Sequence, residues 1–120
     1  MKIVNLSEFL NLPSGTVYMK YEPCVFQDLC VKDDSITATN DFLYCSITCG
    51  IECTSGNDMV DKLFAAEDNN TSVGLNFDII RRDGCFEAGQ LFAVYEKEDV
   101  EQLIAKLGVC LQQYKKQEQG

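Results

Sequence analysis

The chain has 120 residues, of which 46% are hydrophobic and 24% charged, and its 19 acidic against 10 basic side chains leave a formal net charge of -9. That length suits one domain with a core of its own; no apolar run is long enough to span a bilayer, and the surplus of carboxylates repels phosphate backbones, which disfavours direct nucleic-acid binding unless basic residues cluster. Histidine is absent, which removes the commonest general base and metal ligand, and seven cysteines without framework spacing suit reduced thiols in a cytosol.

Met1 to Glu8 breaks its apolar character at Asn5, Ser7 and Glu8, so it does not read as a signal peptide. Ser7 to Leu10 reads as a capped helical turn ended by Pro13, with Phe9 and Leu10 anchoring it to a core. After a turn at Ser14-Gly15, residues 16–22 alternate, with Val17, Met19 and Tyr21 on one face and Tyr18, Lys20 and Glu22 on the other. That is a strand, stopped by Pro23. Leu29 to Lys32 is a short second strand closed by a turn at Asp33-Asp34-Ser35, and residues 36–40 extend or connect it.

The row from Leu43 to Cys53 is the strongest pattern in the chain. Its odd positions are Leu43, Cys45, Ile47, Cys49, Ile51 and Cys53, and its even positions are Tyr44, Ser46, Thr48, Gly50 and Glu52. Such alternation predicts a long central strand with the cysteines facing a core. Cysteines four apart on a strand stand roughly 13 Å from one another at ~3.3 Å per residue, too far to share one zinc through bonds of ~2.3 Å. They read as small buried hydrophobes, with no metal site.

Ser55 to Asp58 is a turn that starts a helix, with Met59, Val60, Leu63 and Phe64 at helical spacing and Asp58 and Asp61 near its positive end. Residues 67–70 end it. Val73, Leu75, Phe77 and Ile79 alternate with Gly74, Asn76 and Asp78 as a fourth strand, and Arg81 to Gly84 turns the chain on an Asp-Gly hairpin signal. Beyond Cys85-Phe86 and a turn at Ala88-Gly89, Leu91 to Tyr95 is apolar on both faces, as a strand in the sheet interior would be. The last helix carries a stripe of Val100, Leu103, Ile104, Leu107, Cys110, Leu111 and Tyr114, with Glu98, Asp99 and Glu101 at its start and Lys115 and Lys116 near its end. Gly108 within it costs about 1 kcal/mol of propensity and permits close packing or a bend. Gln117 to Gly120 read as a frayed tail.

Together these elements predict a single α+β domain over residues 1–116, an antiparallel or mixed sheet of four to six strands with two main helices packed on it. No EF-hand loop, P-loop or dinucleotide fingerprint appears. The carboxylates at Asp33-Asp34 and from Glu96 to Glu101 suit a turn and a helix start rather than an acid/base pair. Cys24 and Cys30, with five residues between them, match neither a zinc knuckle nor a redox pair and read as packing residues. The chain is therefore expected to be no enzyme, with no catalytic residue and no cofactor.

Two groups suit binding. Arg81 and Arg82 are the only arginines and stand together; adjacent guanidinium groups grip an anion or phosphate, or else solubilise a loop. Tyr18, Phe42 and Tyr44 share the face away from the cysteines and either stack a nucleobase or protein surface or form a second core under a helix. Lys20 and Tyr21 extend the same candidate ligand-binding set.

Met1 to Leu10, followed by Leu12 to Tyr18, and then Tyr21 to Phe26 and Gln90 to Glu96, resemble small uncharacterised accessory proteins of bacteriophage and prophage genomes. The resemblance implies a cytoplasmic setting in a host cell, where such small acidic proteins block a host enzyme or defence system or sequester nucleotide-derived immune signals. The expected function is thus non-enzymatic binding, first of a host protein with a basic surface through the acidic surface of this chain. The alternatives are a sponge for a small nucleotide-like ligand, held by Arg81, Arg82, Lys20 and the tyrosines, and a structural domain. A homodimer through an exposed edge strand is open to it.

Overall fold

The computed structural model describes residues 1–36, 38–84 and 87–119. In chain order the elements are β1 (Lys2–Asn5), α1 (Leu6–Leu10), β2 (Val17–Glu22), β3 (Val25–Phe26), β4 (Cys30–Ile36), β5 (Asp41–Ser46), α2 (Gly56–Asn69), β6 (Arg81–Arg82), β7 (Leu91–Val94) and α3 (Lys97–Gln119). The seven strands form one sheet in the order β1-β7-β2-β4-β5-β6, with β3 paired to the far end of β2. Every pairing is antiparallel. The chain is α+β, as its pattern predicts, with one strand beyond the expected six. β7, apolar on both faces, does lie inside the sheet, between β1 and β2.

The core lies between the sheet and the short helix α1. The Asn5 side chain accepts the Glu8 N–H at 2.9 Å and starts that helix, so the cap is Asn5 rather than Ser7, and β1 precedes it as a strand that the alternation did not announce. Leu6 and Phe9 point down from α1. The Phe9 ring stacks on Phe92 with centroids 4.0 Å apart and meets Tyr18 and Phe42 edge-on at 4.7 and 4.9 Å. Such contacts add to the area term for aromatic burial. Lys32 is buried beside this cluster, its ammonium 5.9 Å from the centre of the Phe9 ring and donating to the Asp33 carbonyl at 2.9 Å.

The row from 43 to 53 differs from its expectation in two ways. The strand stops at Ser46, whose hydroxyl accepts the N–H groups of Thr48 and Cys49 at 3.3 and 3.0 Å and bends the chain out of the sheet. The core face is also the other one: Phe42 is fully buried, whereas Cys45 and Cys53 are half-buried and Cys49 is exposed. α1 delivers Phe9 to the aromatic face, and rings of that size outweigh thiols when only one face can be covered. Tyr18 and Phe42 thus belong to the main core. The strand expected at residues 73–79 reduces to one bridge, Leu75 with Ile51.

Asp33 and Asp34 lie inside β4 rather than in a turn, at a register shift between Lys32 and Ser35. Cys30 is buried as expected, but Cys24 is exposed with φ 65° in the β2–β3 hairpin turn. Thr37, Cys85-Phe86 and the end of the expected tail at Gly120 lie outside the described residues; α3 itself continues through Gln119.

The two longer helices form where the patterns predict, yet they do not lay their apolar stripes on the sheet. No residue of α2 is buried, and on α3 Ile104, Leu107 and Tyr114 are 64%, 58% and 65% exposed. Only Tyr95 and Glu96 separate β7 from α3. Its start is fixed by the Asp99 carboxylate, which accepts the Glu96 N–H at 2.9 Å and pairs with the Met1 ammonium at 2.6 Å. α2 is capped by Ser55, which accepts the Asp58 N–H at 3.1 Å; its Asp58 carboxylate accepts the Thr54 N–H at 2.9 Å, and its Lys62 donates to the Glu52 carbonyl at 2.8 Å.

Candidate functional site

Residues paired directly across antiparallel strands share a face. Tyr18 opposes Cys30, Cys30 opposes Ser46, and Tyr44 opposes Arg81, so all of them lie on the face that carries Phe42 and Phe92. α1 covers only part of that face. On this face a cleft of about 190 Å³ opens, lined among others by Tyr18, Lys20, Tyr44, Ser46, Arg81 and Asp83 and by no residue of α1.

Four of the six residues that the sequence singles out for ligand binding therefore meet: Tyr18, Lys20, Tyr44 and Arg81. Arg82 and Tyr21 do not line this cleft. Successive strand residues point to opposite faces, so β6 sends Arg82 away from Arg81, into an ion pair with the fully buried Asp41. The two guanidinium groups do not form one grip. Tyr21 instead accepts the Cys24 N–H at 3.0 Å and lies 5.2 Å from the Phe26 ring, holding the β2–β3 hairpin.

The cleft carries balanced charge. The Lys20 ammonium pairs with Asp83 at 2.7 Å, and Asp28 and Arg81 both line the cleft. Burial pushes the Tyr18 hydroxyl far above the ordinary phenol range, with the Cys30 thiol and Asp83 adding to the shift. Burial likewise pushes Cys30 up to about 11, with Asp28 in support. At neutral pH both groups hold their protons, so the Tyr18 phenol, the Cys30 thiol, the Ser46 hydroxyl and the Arg81 guanidinium are among the donors that line the cleft. Among the described residues no group of three Cys, Asp or Glu side chains gathers as a metal cage. No protein-family model, curated protein or solved structure matches this chain.

Cys30, Ser46, Asp28 and Asp83 also line the cleft and were not singled out for binding by sequence. Cys30 and Ser46 become neighbours of Tyr18 only through the register of β2 on β4 and β4 on β5, and the misread face of β5 hid that register.

The second feature with binding capacity is α2. Val60, Leu63 and Phe64 are 44%, 38% and 59% exposed and follow one another at helical spacing. Asp61, Glu67 and Asp68 lie beside them on the helix, while Asp58, on the far side, pairs at 3.3 Å with Lys62, the single cation of α2. No helix among the described residues is long and apolar enough to cross a membrane.

Proposed function

We propose that the chain is a binding protein without chemistry of its own, which docks α2 into an apolar groove rimmed by basic residues on another protein. The observation that carries this reading is the uncovered stripe of Val60, Leu63 and Phe64 on a helix whose charged residues are nearly all acidic. An amphipathic helix presenting anchors at such spacing is a recurrent mode of recognition, and carboxylates around the anchors select a basic rim. In the setting that the phage resemblance suggests, the partner is a host enzyme or defence protein in the host cytoplasm, and occupying its groove antagonises it.

The test is capture from bacterial host lysate on the immobilised chain at low and high salt. A specific partner is retained at ~0.05 M salt, weakened at ~0.5 M as the charge attraction is screened, and lost from Leu63→Ser/Phe64→Ser. Neither side chain belongs to the core, so the double variant keeps the fold. Retention by that variant, or indifference to salt, refutes the reading.

The convergence of Tyr18, Lys20, Tyr44 and Arg81 on one cleft favours a second reading, a sponge for a small nucleotide-derived signal. With Lys20 held by Asp83, the anion contact rests on Arg81. A saturating ligand from a cyclic-nucleotide and ADP-ribose panel raises the melting temperature of the wild type and leaves Arg81→Ala unmoved. No shift with any member eliminates this second reading.

A further inference from the structure

α3 carries a feature that neither the cleft nor α2 requires. Val100, Ile104, Leu107, Leu111 and Tyr114 follow one another in alternating steps of four and three residues, the repeat that places one seam against a second helix. From Ile104 onward this seam is exposed. Gly108 stands in the middle of the helix, and a Cβ added there would meet nothing within 4 Å, so nothing in this chain approaches closely enough to demand a glycine. Carboxylates prevail at the start of the helix, where Glu98, Asp99 and Glu101 outnumber Lys97, and lysines prevail at the finish, where Lys115 and Lys116 outnumber Glu118; the exposed Glu101 carboxylate also stands 3.7 Å from Lys97 of its own helix.

We infer that α3 pairs with α3 of a second copy of this chain, antiparallel, about a two-fold axis beside residue 109. In that register Leu107 of each copy packs on Leu111 of the other, and Ile104 packs on Tyr114. The positions flanking the seam then match in charge: Glu101 of each copy meets Lys115 of the other, on both sides of the axis. Gly108 meets its own counterpart, which lets the helices approach closely, and Cys110 meets its counterpart on the opposite flank. A parallel pair would gather the acidic starts at one end and the lysines at the other. Sliding the antiparallel pair by one heptad separates Glu101 from Lys115. Charge thus selects both direction and register. A two-fold pair of this kind closes on itself and leaves the α2 stripe and the cleft free.

The test is light scattering on the full chain over a concentration series, with cross-linking by a short bis-maleimide that bridges neighbouring thiols. The wild type gives a dimer mass and a cross-linked band, and Cys110→Ser keeps the dimer but loses the band. Leu107→Glu is a monomer with unchanged circular dichroism, since Leu107 supports nothing within its own chain. Glu101→Lys weakens the dimer about tenfold by replacing two attractions with two repulsions, and Glu101→Lys/Lys115→Glu restores it. A chain that stays monomeric at millimolar concentration overturns the proposal. So does a cross-link that survives Cys110→Ser, as it would if α3 lay on the open sheet face of its neighbour near Cys45, or a failure of the double charge reversal to restore the dimer.

Discussion

Among the described residues, Asp41 and Lys32 are the two charged ones that this fold buries, and they are expected to behave oppositely. Burial pushes the Asp41 carboxyl up, but the Arg82 side chain and the N–H groups of Gly84 and Phe42 more than offset it, so its pKa lies below the ordinary value. A carboxyl depressed in the fold stabilises above its unfolded value of about 4, and that stabilisation is lost as pH falls through the folded value. Asp41→Asn should cost about 2 kcal/mol at neutral pH, because it weakens three hydrogen bonds at a buried acceptor, and chemical denaturation between pH 3 and pH 7 should show a shallower acid slope in the variant. Lys32 has its pKa lowered by burial, which Asp34 and Asp33 only partly counter. Its folded value lies under its unfolded one, so stability rises with pH across that alkaline window, and at neutral pH the buried charge is a cost. Lys32→Met keeps the stem against Phe9 and should raise stability by about 1 kcal/mol, read as a higher melting temperature.

At the scale of elements, the hydrophobic periods located α2, α3, β2 and β7 because each carries its own signal over several residues. The faces were less legible. Tyr18 and Phe42 alternate as cleanly as Val17 and Cys45, and only the placement of α1 decides which row is covered. That placement is long-range and leaves no local mark. The loop after β5 shows the same limit: Ser46 ends the strand by accepting two backbone N–H groups, although the alternation runs on through Cys53. The return of the chain at Ile51 depends on Gly50, where an added Cβ would stand 2.1 Å from the Asn76 carbonyl oxygen. Gly50→Ala should therefore break the Asn76 N–H bond to Gly50, which is 2.7 Å long. Amide exchange at Asn76 and Glu52 is expected to accelerate at least tenfold while amides of β7 stay protected. Equal exchange in both proteins would contradict the close approach. Of the cleft, the sequence disclosed Lys20, Arg81 and two tyrosines through residue type alone, but not that Arg82 would turn away, since reading the pair as a turn concealed that it lies on a strand.

The whole molecule has a radius of gyration of 16.9 Å, against about 14 Å for a compact chain of this length. The excess belongs to helices that stand off the sheet, so the hydrophobic core is small and centred on one ring. Phe9→Ala should cost about 4 kcal/mol, a large share of the stability of a domain this size, and is expected to abolish the cooperative thermal transition. Phe9→Leu, which keeps most of the volume, should retain it.

The position of β7 has a consequence for how the molecule is made. It is synthesised well after β1 and β2, yet it pairs with β1 on one side and β2 on the other. Until residues 91–94 emerge, the earliest strand has no neighbour and the Phe9 ring lacks the Phe92 surface beneath it. The sheet centre cannot assemble before residue 94 has emerged, and nascent chains halted before residue 90 should be the species that chaperones hold and proteases clear.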